Sequence, residues 1–266
     1  MTASECFHAG KLADATKLQI DKVRTHPADR AARLFLFELF LFAGELDRAG
    51  KQLDVLNYET PEQLAAIAQY RLALEAERKR REVFAGKADP TALMDLPEEA
   101  LLRLQALKAE GRGEIEVARE LRTRAAVVSP LLRVVWNDAE VTGLVDADNR
   151  LGTMLEVFGT GGVYCWVPLA AVASISLGSV TAPRDVLLRP AALELHDGTR
   201  GDVLLPGLAV STHETGDEEV MLGRASDTTE AGRPVGVKLW LHDAGTLDFV
   251  TWSIFQQTPN NEGNGA

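Results

Sequence analysis

The chain is poor in cysteine. Its 266 residues include two, Cys6 and Cys165. Two thiols make no disulfide framework, and no Cys/His spacing of a zinc site accompanies them. A reducing compartment is the simplest reading. Long apolar runs are lacking too. The most apolar stretch, Leu34–Phe42, is broken by Glu38 and falls far short of the roughly 20 residues that cross a bilayer. Met1–Gly10 carries neither a basic nor an apolar leader segment, so no secretory signal is expected. These absences together predict a cytoplasmic protein without membrane insertion.

Positive charge is scarce in the second half. Residues 131–266 hold 8 Lys/Arg against 18 Asp/Glu, a net of −10, whereas residues 1–130 hold 20 against 21, a net of −1. So acidic a surface excludes a phosphate-backbone reader, which needs clustered Lys and Arg. The one basic run, Arg78-Lys79-Arg80-Arg81, lies among Glu75, Glu77 and Glu82 and reads as a solvated helix face.

Catalytic signatures are missing as well. There is no Gly-x-Ser-x-Gly elbow, P-loop or dinucleotide fingerprint. His196, His213 and His242 are scattered without ligand spacing. The stretch Asp146-Ala147-Asp148-Asn149-Arg150 begins like a calcium loop. Its sixth and twelfth positions hold Leu151 and Val157 instead of glycine and glutamate, so a polar turn is expected in place of a metal site. Cys165 has no activating neighbour. No catalytic residue, cofactor or metal is expected.

What is present is a repeat. Ala9-Gly10-Lys11-Leu12-Ala13-Asp14-Ala15 returns as Ala43-Gly44-Glu45-Leu46-Asp47-Arg48-Ala49, and 44 − 10 gives a period of 34. Gly113-Glu114-Ile115-Glu116-Val117-Ala118 is a third copy, 69 positions further on. Each glycine is followed 17 positions later by a proline: Pro27, Pro61 and Pro130. Glycine permits the positive φ that ends one helix tightly before the next. A small Ala15, Ala49 or Ala118 allows close helix approach, and proline suits the start of the following unit. The period resembles the tetratricopeptide repeat. A degenerate middle unit has Arg78 or Lys79 at the glycine position and only a late Pro97, with one long helix from Pro61 to Phe84.

After Pro130 the pattern changes to short β-rich runs: Leu132–Trp136, Glu140–Val145, Met154–Phe158, Val163–Val167, Ala192–His196, Gly201–Leu204, Val235–Trp240 and Leu247–Phe255. Asp197-Gly198 reads as a hairpin turn. Ala170–Ile175 and Pro183–Leu188 read as short helices or turns. The expected fold is multidomain α and β: TPR-like helical repeats over 1–130, a mixed, mostly antiparallel α+β domain over 131–257, and a disordered tail at 258–266.

Two groups of residues are candidates for function. Residues 31–43, AARLFLFELFLFA, are apolar almost all round. If Glu38 faces solvent, Leu34, Leu41 and Phe42 face it too and offer a strip to a partner helix; if the helix is sandwiched between its repeat neighbours and the second domain, nothing is exposed. Tyr164 and Trp166 share one strand face, which suits core packing or a recognition patch. Separately, Asp146, Asp148, Arg150, Arg184, Asp185, Arg224 and Asp227 could converge into a polar ligand site. Structural pairing at separate loops is the competing explanation.

The order of several blocks resembles the ImpE family, also called TagJ or SciE-type. These are Arg33-Leu34-Phe35 through Glu38-Leu39, Phe42 to Ala49 with Gln52-Leu53, Ala76-Glu77-Arg78, Asp146 to Glu156, Tyr164-x-Trp166-Val167-Pro168, Pro183 to Leu187, Gly198 to Pro206 and Leu222-Gly223-Arg224. The likeness spans about residues 5–255. Gly207–Val210 and Thr228 depart from it: the family has Tyr-Pro at the first and an aromatic at the second. The resemblance implies a non-catalytic accessory protein of type VI secretion. Its partners would be a helical segment of the small sheath subunit TssB and, through sheath recycling, the ATPase ClpV. An adaptor for a different secretion or regulatory partner, or a ligand-binding or enzymatic second domain, remains open at this point.

Overall fold

In the computed structural model, which describes residues 1–56 and 60–257, the repeat glycines set the helical half. Helices α1 (Ala3–His8) and α2 (Leu12–Thr25) turn about Gly10, and α3 (Arg30–Phe42) and α4 (Leu46–Asp54) about Gly44. After the long α5 (Pro61–Phe84), α6 (Glu98–Gly111) and α7 (Ile115–Val128) turn about Gly113. The three glycines have φ of 78°, 72° and 79°. Each turn closes with the same pair of backbone bonds, as in Gly44 N–H to Leu41 O and Glu45 N–H to Phe40 O, at 3.0 and 2.9 Å. That is the bonding of a glycine helix stop. Ala15, Ala49 and Ala118 are fully buried where the paired helices touch.

The middle unit has its own glycine stop, later than the sequence suggested. Gly86 ends α5 at φ 70°, 42 residues after Gly44. A Cβ on Gly86 would lie 2.4 Å from Leu107 O, and one on Gly111 would lie 2.5 Å from Ala85 O. These two glycines therefore let the ends of α5 and α6 cross in backbone contact. The next helix, α6, does not begin until Glu98; before it Thr91 bridges to Cys165, its N–H donating to Tyr164 O at 2.7 Å.

The sheet half contains β1 (Arg133–Trp136), β2 (Ala139–Thr142), β3 (Val145–Asp146), β4 (Met154–Gly159), β5 (Val163–Pro168) and β6 (Val172–Leu177). Next come α8 (Arg184–Leu187), β7 (Leu188–Leu195), β8 (Arg200–Pro206) and α9 (Glu218–Met221). The half ends with β9 (Ser226–Thr228), β10 (Pro234–Gly236), β11 (Leu239–His242), β12 (Gly245–Asp248) and β13 (Ile254–Gln257). Eight strands form one sheet in the order β2-β1-β13-β6-β7-β8-β4-β5, with a two-stranded β9/β10 ribbon and a three-stranded β12-β11-β3 sheet beside it. Every ladder among the described residues is antiparallel. Asp197-Gly198 turns β7 into β8, with Gly198 at φ 86°.

Four sequence expectations shift. Leu169–Ala171 makes a single 3₁₀ turn, but Val172–Leu177 continues as a central strand. The runs Glu140–Val145, Val235–Trp240 and Leu247–Phe255 each divide between two strands of different sheets. The tail at 258–266 lies outside the described residues.

Among the described residues a small hydrophobic cluster of Ala106, Ala109 and Ala118 joins α6 to α7, and two large ones each draw on helices and strands alike. One joins Phe7, Leu39 and Phe42 to Val157, Ile175 and Trp252; the other joins Phe37, Phe40 and Leu74 to Met154, Tyr164 and Trp166. Helix α3 contributes to both, which explains why it is apolar on every side.

Candidate functional site

In β4, Met154, Glu156 and Phe158 share one face, paired across to Pro168, Trp166 and Tyr164 of β5. Met154, Phe158, Tyr164 and Trp166 belong to the cluster that packs beneath α5. The alternation therefore drives the Glu156 carboxylate into the seam between sheet and repeats. There it meets Arg80 of α5, which donates through Nε to Oε1 at 2.6 Å and through Nη2 to Oε2 at 2.9 Å. Lys238 Nζ donates to Glu156 Oε2 at 2.6 Å and lies 2.8 Å from Asp146 Oδ2. Tyr164 donates its hydroxyl proton to Glu156 Oε1, and Trp166 Nε1 donates to the Tyr164 oxygen, both at 2.7 Å. Arg80 also reaches Leu208 O at 2.9 Å. Arg80 is 3% and Glu156 1% exposed, so these charges stand only because they are paired.

The ionisation states follow. Burial alone would push the Glu156 carboxyl up, but Arg80 and Lys238 outweigh it and hold it well below the usual carboxylate range. At Asp146 burial is the stronger influence. Lys238 opposes it, Asp148 adds to it, and the carboxyl is pushed up to about 6. Burial also raises the Tyr164 phenol and pushes the Cys165 thiol up to about 11, so Cys165 is no thiolate nucleophile. The network ties the repeat half to the sheet half, with its proton donors and acceptors turned towards one another.

Asp146 carries a testable pH signature. Its folded pKa lies above the usual 3.8. Its contribution is therefore fully present below that value and is lost as pH rises through about 6. Asp146→Asn removes this loss while keeping an acceptor for the Asp148 N–H, now at 2.8 Å. The Tm of the variant relative to wild type should rise between about pH 4.5 and 7.5, by several degrees on the scale of about 2–4 °C per kcal/mol. A difference that stays flat across that range would contradict the assignment.

For the candidate residues the structure favours the interior and structural readings over the exposed and ligand-binding ones. Glu38 does not face solvent: it is buried and pairs with Arg184 of α8, whose Nε also donates to the Tyr70 hydroxyl at 2.6 Å. Burial raises the Glu38 pKa against that pairing. Leu41 and Phe42 are buried with it and Leu34 is half-buried, so the anticipated strip on α3 is interior. Tyr164 and Trp166 are core residues of the network. The seven-residue polar site does not assemble either. Asp146, Asp148 and Arg150 form one closed turn, in which Arg150 Nε and Nη2 donate to Asp148 at 2.8 and 2.6 Å. Asp185 accepts from Thr181 N and Ala182 N, both at 2.8 Å, ahead of α8. Arg224 reaches back to the end of α1, donating to Phe7 O at 2.6 Å and His8 O at 3.1 Å. Asp227 is exposed on β9. Among the described residues, no group of three His, Cys, Asp or Glu side chains has metal-site geometry.

Sequence reading missed Arg80 and Lys238. Arg78, Lys79 and Arg81 do lie at the surface with carboxylate partners, but Arg80 turns inward. An apolar cavity beside Arg80, lined by Leu41, Phe42, Leu74, Leu208 and His213, has a volume of about 50 Å³. That is room for one or two waters at about 30 Å³ each, well below the several hundred Å³ of small-molecule sites.

The chain resembles known proteins over nearly its full length. Residues 138–253 match the family model described as ImpE protein. The chain is 36% identical over 245 residues, 92% of its length and 87% of the relative's, to the type VI secretion system accessory component TagJ of Pseudomonas aeruginosa. The crystal structure of a Vibrio parahaemolyticus protein matches it with a TM-score of 0.87, covering 96% of this chain and 97% of that one at 24% identity. That likeness shows a shared fold: helical repeats followed by an antiparallel α+β half.

Proposed function

Because the chain belongs to the ImpE family, the family of the accessory component TagJ, we propose that it is a non-catalytic adaptor of a type VI secretion system. In this reading the repeats of residues 1–130 are the scaffold, and residues 131–257 brace it. The partner is a helical segment of the small sheath subunit TssB, which links the protein to ClpV-dependent sheath recycling in the cytoplasm. The observation that carries the reading is the identity of 36% across 92% of the chain, which spans both halves. Two features of the molecule support it. TPR-like scaffolds serve peptide recognition, and the buried polar cluster is consumed by internal pairing.

Co-expression tests this directly. The tagged protein should retain the cognate TssB through affinity and size-exclusion steps. Deleting the N-terminal helical segment of TssB should abolish retention. Equal recovery of the truncated subunit would contradict capture of that segment, and no recovery of either form would overturn the assignment of partner.

A further inference from the structure

Several exposed apolar side chains lie at or next to the end of α7 and the segment before α6: Val127 is 81% exposed, Leu131 71%, Leu93 55% and Val128 42%. Val128 and the chain neighbours of the other three line a groove of about 540 Å³. Met94 and Leu96 form one wall, Val128 and Pro130 at the end of α7 the other, and Pro168 with Ala170 the floor. With Pro97, these residues make the lining mostly apolar. Asp95 and Glu98 stand on its rim, no Lys or Arg lines it, and neither carboxylate makes an ion pair among the described residues. The other acid there, Glu99, faces inward to Arg103 and Thr153.

The charge decides between occupants. A second copy of the chain would bring its own Asp95 and Glu98 to the same face with no base to meet them, since a two-fold interface apposes identical patches. Like charges so apposed disfavour pairing. A helix with an apolar stripe flanked by Lys or Arg satisfies both floor and rim.

We infer that the groove between Met94–Glu98, the end of α7 and Pro168–Ala171 is a docking site for a basic amphipathic helix of a partner protein. The inference rests on the adaptor reading above and gives it a place on the molecule. The site lies at the last repeat helix, away from the buried residues of α3, so a partner can engage it without opening the core.

The test uses the full chain and a fluorescently labelled 14-residue Leu/Lys amphipathic helix, with a Leu/Glu counterpart, followed by anisotropy. The Leu/Lys helix should bind, and the Leu/Glu helix should bind at least about tenfold more weakly. Val128→Asp and the pair Asp95→Lys with Glu98→Lys alter exposed side chains, so the fold persists. Each should weaken binding about tenfold or more. The pair Asp138→Lys with Asp202→Lys makes the same change in net charge elsewhere and should leave binding unchanged. Equal weakening by both pairs, or indifference to Val128→Asp, would overturn the site. The TssB segment should displace the probe. If that segment binds without displacing it, this groove is not the docking face although the adaptor reading stands. If the segment does not bind while the probe still maps to the groove, the site stands and the TssB reading fails.

Discussion

Replacing Glu156 by Gln should cost about 3–5 kcal/mol, the range for removing one partner of a buried ion pair. The substitution keeps the shape of the side chain but strips the charge that faces both Arg80 and Lys238. Asp146 and Glu77 remain near those cations at 2.8 and 3.3 Å. Asp146 reaches Lys238 and Glu77 reaches Arg80, however, so neither spans both cations as Glu156 does. At about 2–4 °C per kcal/mol for a chain of this size, Tm should fall by on the order of 10 °C. The loss should have a pH profile opposite to that of Asp146. Glu156 is held below the usual carboxylate range, so its contribution is present above about pH 4.5 and fades as pH falls through its lowered pKa. An exposed pair gives the contrast. Glu116→Gln breaks the pair with Arg119, both well exposed, and should change stability by no more than about 0.5 kcal/mol. A Tm for Glu156→Gln within about 2 °C of wild type would show that the network does not hold the two halves together.

Gly44→Ala should be costly for a different reason. Gly44 sits at φ 72°, and a Cβ there would lie 2.3 Å from the His213 ring and 2.6 Å from His213 Cβ. The left-handed conformation costs a non-glycine residue about 1–2 kcal/mol. Displacing the 211–214 turn adds about 1–3 kcal/mol of overpacking. The repeat supplies its own control. Gly113 has φ 79° with nothing within 4 Å of the same Cβ position. Gly113→Ala should therefore show the conformational cost alone, about 1–2 kcal/mol, and Gly44→Ala clearly more. Denaturant midpoints at unchanged slope would measure the difference. Equal losses would mean that His213 gives way freely and that its packing on the repeat glycine adds nothing.

The glycine–alanine spacing was readable because each element is local: a left-handed stop and a small residue at a helix crossing need no tertiary partner to be recognised. The prolines were less uniform, since Pro61 opens α5 but Pro27 precedes the cap of α3 and Pro130 precedes β1. The charged core was not readable in the same way. Periodicity shows which residues share a face of α3, but not that a sheet covers the face bearing Glu38. The neighbours of Arg80 along α5 are also paired with carboxylates, and nothing local distinguishes it from Arg81. Lys238 carries no local signal at all. One sign was available: Glu156 stands in Met154–Phe158, a strand buried along its whole length, and a carboxylate there requires a cation from elsewhere. The same logic applied to Glu38 within its apolar helix calls for a cation in place of solvent, and Arg184 is that cation. The Asp/Arg motifs were visible as pairs, but their dispersal over the turn before β4, the cap of α8 and the end of α1 depends on the sheet order.

The proposed function is capture of a helix of the sheath subunit. Calorimetric titration of the folded, full-length chain with a peptide covering the N-terminal helical segment of the cognate TssB tests it most directly. The account predicts saturable binding with a Kd in the micromolar range or tighter, about −8 kcal/mol. Absence of saturable binding at peptide concentrations approaching about 1 mM, where only about −4 kcal/mol would be needed to see it, would contradict it.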